Sequence, residues 1–217
     1  MSKLVTYNIF EGGNMPPIGP TVLYEYWLAG NGLYLRAKRI GMEVLMPLAQ
    51  YQVRGLPDLD PYLRMDYPPV PQELTLQMIE LSRKARDAQN LPLEKLFHFS
   101  YSDAASSWQL EIPAQIQTNS SVKPVQSGTG SSYERAILEI HSHHTMRAFF
   151  SMTDNRDEAR SFRLFGVIGR IFEQGEIRLR VGVFGHFWEV AASTVLELPQ
   201  GVQDCLTQNE QEREVAW

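Results

Sequence analysis

Cysteine is almost absent. Cys205 stands alone, which excludes a disulfide framework and any zinc site built on thiolates, and fits a reducing cytoplasm. Long apolar runs are missing too. No stretch approaches the roughly 20 residues of a membrane span, and the first residues lack the basic-then-apolar pattern of an export signal. A cytoplasmic protein without a membrane partner is the expectation. Nor is there an excess of positive charge: 20 Lys and Arg stand against 25 Asp and Glu, a formal net charge of −5, which argues against nucleic acid as a partner. Histidine is scarce, five residues in 217, yet His141, His143 and His144 fall together. No internal repeat is visible, and the length suits one domain plus an extension.

Residues 1–20, rich in Gly and Pro, read as an irregular lead-in. The aromatic runs Val22–Ala29 and Leu33–Lys38 flank Gly30-Asn31-Gly32 and predict a hairpin, with Trp27 packing on the main sheet. Met42–Leu48 and Tyr51–Val53 continue it. Between Gly55 and Pro71 the prolines at 57, 61, 68, 69 and 71 break regular structure, so a β-rich extension and linker are expected over 1–70 and the main domain over 71–198. Gln72–Gln89 predicts a helix with Leu74, Met78, Leu81, Ala85 and Ala88 on its apolar face. Leu93–Tyr101, Trp108–Ile112 and Ala114–Thr118 read as strands. Residues 119–132 lack apolar content and are expected to form a mobile loop, a candidate flap over a cleft. Arg163–Phe172 and Ile177–Val190 predict an antiparallel pair, and the polar tail, residues 199–217, is expected to fray.

The chain is organised around Glu139–Asp154. Ala136–Ile140 is strand-like, so His141 and His143, two apart, leave one face of the strand end. Ser151 follows after seven residues and Asp154 three later. Two imidazoles and a carboxylate are three zinc ligands, with the fourth position of a catalytic site left for water. Alone, a His-x-His pair is weak evidence for metal, and Ser151-x-x-Asp154 also reads as a helix N-cap; the two readings are compatible.

The spacing His-x-His, seven residues, Ser, two residues, Asp resembles the JAMM (MPN+) zinc metalloprotease family over about residues 72–198. That resemblance implies an α/β fold of JAMM/MPN (cytidine-deaminase-like) type, a mixed curved sheet flanked by helices, and an upstream glutamate at the start of a strand. Glu94, in Leu91-Pro92-Leu93-Glu94, matches that position. The stretches Leu28–Leu35, Glu139–His144, Ala148–Ser151 and Arg180–Gly185 are similar to the PRTRC system protein A group within the family. His144 departs from the family, where many members have proline.

The resemblance implies Zn2+ on His141, His143 and Asp154, which lowers the pKa of bound water from 15.7 to about 7. Glu94 is then the general base, and Ser151 donates to the oxyanion. The implied substrate is a peptide or isopeptide bond at the C-terminus of a ubiquitin-like protein, and the implied neighbour is a ThiF-like, ubiquitin-activating enzyme. The alternatives are a non-catalytic zinc-stabilised scaffold in a plasmid-maintenance assembly and a zinc amidohydrolase of small metabolites. Among the other polar residues, Glu139 is either solvated, an ion-pair partner or a rival base, and His98 and His186 read as packing histidines. The Phe149-Phe150 pair reads as core.

Overall fold

The computed structural model describes residues 4–125 and 129–206. Two compact units, Met1–Tyr67 and Pro68–Trp217, divide the chain.

The first unit is a five-stranded sheet in chain order: β1 (Val5–Ile9), β2 (Tyr24–Ala29), β3 (Gly32–Arg39), β4 (Met42–Gln50) and β5 (Tyr62–Met65). β1 runs parallel to β2 and the rest is an antiparallel meander. Two expectations fall here. The lead-in holds β1, because Val-Thr-Tyr-Asn-Ile has strand propensity once it lies ahead of Gly12-Gly13. The proline-rich stretch holds β5, whose four residues lie between Pro61 and Pro68 at a sheet edge where proline is tolerated. The Gly30-Asn31 turn forms as expected, and Asn31 fixes it: its Nδ2 donates to the Leu59 carbonyl at 2.9 Å and its Oδ1 accepts the Leu59 amide at 3.1 Å. Trp27 packs within its own unit, where the expectation had placed it on the main sheet. It is buried there with Phe10, Ala29, Tyr34, Leu45 and Leu59.

In the second unit, helix α1 (Gln72–Arg83) precedes β6 (Leu96–Ser102) and β7 (Ser107–Glu111). A small hairpin follows, β8 (Gln115–Gln117) with β9 (Val122–Pro124), then the single turn α2 (Ser132–Arg135). Next come β10 (Leu138–His143), α3 (Met152–Glu158), β11 (Phe162–Gly169), β12 (Glu176–Val183), β13 (His186–Val190) and β14 (Gln203–Asp204). The main sheet runs β13-β12-β11-β10-β6-β7, with β14 also beside β12. It is a mixed α/β arrangement, mostly strand, with few helices.

Several boundaries move for identifiable reasons. α1 stops at Arg83, not Gln89, since Asp87 Oδ1 accepts the amides of Gln89 and Leu91 at 2.9 and 2.8 Å and folds the chain back. This Asx-type turn outcompetes the weak helix periodicity. The buried face of α1 is Thr75, Met78, Ile79 and Ser82 rather than the stripe through Leu74 and Leu81. Pro113 ends β7, and the next strand leaves the main sheet to pair with β9. The expected loop 119–132 therefore contains β9 and the start of α2; its residues 126–128 lie outside the described residues. The single strand expected over Ile177–Val190 is two, because Phe184 and Gly185 both take positive φ, 46° and 91°, and turn the chain. Part of the expected frayed tail is ordered: Gln203–Asp204 pairs with Glu176–Ile177, while residues 207–217 lie outside the described residues.

The centre of the sheet positions the site. β10 pairs antiparallel to β6 and parallel to β11. A parallel pair needs a crossover, and this one carries α3 across the carboxyl end of β10, where open α/β sheets place their ligands.

Candidate metal centre

His141 and His143 end β10 two residues apart, so the pleat aims both rings to one side. Their Nε2 atoms lie 3.2 Å apart. His143 Nδ1 donates to the Arg147 carbonyl at 3.2 Å, which leaves its Nε2 lone pair facing His141. Burial lowers the basicity of both imidazoles, that of His141 to about 4, so each is a neutral donor at neutral pH.

The carboxylate arrives on α3. Ser151 caps this helix: its Oγ accepts the Asp154 amide at 3.2 Å, and Asp154 Oδ2 accepts the Ser151 amide at 2.6 Å. This reciprocal capping box commits Oδ2 and turns Oδ1 toward His141 Nε2, at 3.7 Å. The cap and the ligand are thus one arrangement. The donor atoms of His141, His143 and Asp154 all lie within 4.8 Å of one another.

Glu94 comes from the other side. Its amide donates to the Thr118 carbonyl at 2.9 Å and its carbonyl accepts Gln117 Nε2 at 2.6 Å, so the base of the β8–β9 hairpin clamps its backbone. The side chain is 3% exposed. Its Oε1 lies 3.9 Å from His143 Nε2, too far for a hydrogen bond, and has no partner. Burial, and then the Asp154 charge, push the carboxyl up to about 7. A buried carboxylate oxygen without a partner, beside two facing imidazole nitrogens, is costly unless a cation or a water completes it. The residues present therefore fit a zinc ion: two neutral imidazoles 3.2 Å apart, near the roughly 3.3 Å two nitrogens span on a tetrahedral ion, with one free carboxylate oxygen.

Supporting contacts were invisible in the sequence. Arg180 donates through Nε and NH2 to Glu158 Oε2, at 2.8 and 2.5 Å, and through NH1 to Asn155 Oδ1 at 2.7 Å. Its guanidinium lies between the rings of Phe150 and Phe187, 3.8 and 4.0 Å from their centroids. One buried side chain thus holds the residue before Ser151 and the residue after Asp154. On the far side of the site, Gly169 lets the 146–148 loop approach; a Cβ there would stand 2.3 Å from the Ala148 nitrogen. That loop presents the Arg147 carbonyl to His143.

The remaining candidates separate clearly. Glu139 is an ion-pair partner, accepting from Arg163 NH1 at 3.3 Å and meeting His98 Nε2 at 3.1 Å. His98 is buried and also bonds Ser132 Oγ at 2.8 Å. His144, which replaces proline in the resembling pattern, bonds the Asn119 carbonyl through Nε2 at 2.8 Å and so pins the β8–β9 turn to the end of β10. Phe149 is not core: it is 42% exposed and its ring centroid lies 4.7 Å from that of His143. A cleft of about 740 Å³ opens over the site between the β8–β9 hairpin and α3, lined by Glu94, His141, His143, Ser151 and Asp154 among others.

A strand-borne His pair with a capped-helix aspartate and a buried glutamate defines an α/β domain with a cluster that could hold a metal ion. Residues 82–182 match the family of prokaryotic homologs of the JAB domain, from the last turn of α1 to the end of β12, and the match supports a JAMM/MPN domain there. No curated protein matches the chain. Among the described residues no helix is long and apolar enough to cross a membrane.

Proposed function

We propose that this protein is a zinc-dependent peptidase or isopeptidase acting on the C-terminal region of a ubiquitin-like protein. The observation that carries the reading is Glu94 Oε1, buried without a partner beside the His141–His143–Asp154 cluster. Zinc held by those three side chains would supply a Lewis acid and make water a nucleophile near neutral pH. Glu94, buried beside the cluster, takes the proton of the attacking water and passes it to the departing amine. Ser151 Oγ accepts the Asp154 amide, so its own hydrogen is left to donate to the carbonyl oxygen as it gains charge. The hairpin and α3 form the two walls between which an extended chain lies. The family context also suggests a ThiF-like activating enzyme as a neighbour.

The test has two parts. Zinc content of the purified chain should be near one per molecule and fall to near zero in His141→Ala. Cleavage of a ubiquitin-like protein fused to a C-terminal reporter should vanish in Glu94→Gln with zinc retained. Turnover that survives Glu94→Gln removes the general base from the scheme. Stoichiometric zinc with no turnover of fusion, isopeptide or peptide substrates would favour the non-catalytic scaffold.

A further inference from the structure

The acids lining the cleft are nearly all accounted for. Asp157 Oδ2 meets Lys123 Nζ at 3.1 Å, an ion pair from β9 across to α3. Glu158 is held by Arg180 and Glu139 by Arg163. Asp154 and Glu94 belong to the metal centre. Two cations facing the same cleft have no such counterpart. Arg156 on α3 and Arg160 in the turn that follows it line the cleft four residues apart, both exposed. Neither has an acidic partner among the described residues. With the other charges paired, the wall of the cleft leading away from the metal centre is left with the field of two guanidinium groups.

We propose that Arg156 and Arg160 form a subsite for a carboxylate, so that the cleft selects substrates with an acidic residue close to the scissile bond on the α3 side. The inference rests on the peptidase reading for what occupies the cleft, and it adds the chemistry of the occupant. A guanidinium pair suits this task because each presents a planar fork of donors that a carboxylate accepts in two parallel bonds. Thr153 lies one turn before Arg156 on the same wall, so that wall also offers a hydroxyl to the backbone of an extended segment.

The experiment uses the full chain loaded with zinc. Fluorescein-labelled peptides differ only in carrying Glu, Gln or Lys at successive positions on either side of a central glycine. Their binding to Glu94→Gln is followed by anisotropy, and their cleavage by wild type is followed by mass spectrometry. At one or two positions Glu should bind about three- to tenfold tighter than Gln, and Lys weaker than both, as expected for two exposed guanidinium contacts. The preference should shrink from 50 to 300 mM salt. Arg156→Glu with Arg160→Glu should invert it in favour of Lys, and Arg156→Gln with Arg160→Gln should abolish it while the melting temperature stays within a few degrees. Equal binding of the three peptides, binding of none, or a preference for Glu that survives the Gln pair overturns the subsite. Preferential binding of Glu without cleavage of any peptide keeps the subsite and sinks the peptidase reading alone.

Discussion

Glu94→Gln should make the metal-free protein more stable above neutral pH, and the difference should depend on pH. The Glu94 carboxyl titrates near 7 in the fold, against 4.5 when unburied. Below pH 4.5 both folded and unfolded chains hold the proton and the residue is neutral in each. Between 4.5 and 7 the unfolded chain loses it first, so wild-type stability falls as pH rises, by at most about 3 kcal/mol. Glutamine has no proton to lose, although its buried amide must find partners. The net expectation is therefore a stabilisation of about 1–2 kcal/mol at pH 8 and a loss of about 1–2 kcal/mol at pH 4.5, where only the amide cost remains. Scanning calorimetry after chelation measures it, following the transition that added zinc displaces. Taking the difference between variant and wild type removes the opposite trend of His141, whose depressed basicity costs stability as pH falls below its ordinary 6.5. Excess zinc should erase most of the gain, because a nearby cation favours the carboxylate. A difference that does not vary with pH, or a variant less stable at pH 8 than wild type, would refute the assignment of Glu94 as a strained, unpartnered acid.

Three other perturbations test the surrounding frame. Ser151→Ala should lose about 1 kcal/mol from the α3 cap and about 10²–10³ in turnover, with Ser151→Thr restoring the cap in urea titrations. Arg180→Met should cost about 3–5 kcal/mol by stranding Glu158, and the double change with Glu158→Leu should recover most of it in a denaturation cycle; additive losses would speak against the pair. Gly169→Ala should shift the 146–148 loop, since the new Cβ meets backbone at 2.3 Å. Weaker zinc binding by competitive chelator titration, in step with a lower melting temperature, is the expected result.

The sequence was most legible where function depends on spacing along one element. The strand alternation of Glu139–His143 and the Ser-x-x-Asp pattern are local, so the faces of β10 and the cap of α3 followed from residue order. The placement of Glu94 needed the family pattern, because its neighbours Thr118 and Gln117 come from a hairpin more than twenty residues on. Arg180, Glu158 and Asn155 were overlooked for the same reason: nothing in Arg178-Leu-Arg180 marks which arginine is buried against a helix 22 residues earlier. The missed strands β5 and β9 are short and flanked by or end on proline, where local signals for a loop are strong and only pairing with a neighbour decides otherwise. Asp87 ended α1 early through one side-chain turn that the helical periodicity did not register.

The reciprocal bonds between Ser151 and Asp154 set the position of the Asp154 carboxylate by the cap of α3 itself. On the zinc reading, folding of this segment would therefore not require the ion, unlike small zinc-organised modules that collapse only around their metal. A chelator should strip such a centre and leave the scaffold standing, ready to be recharged from solution without renaturation.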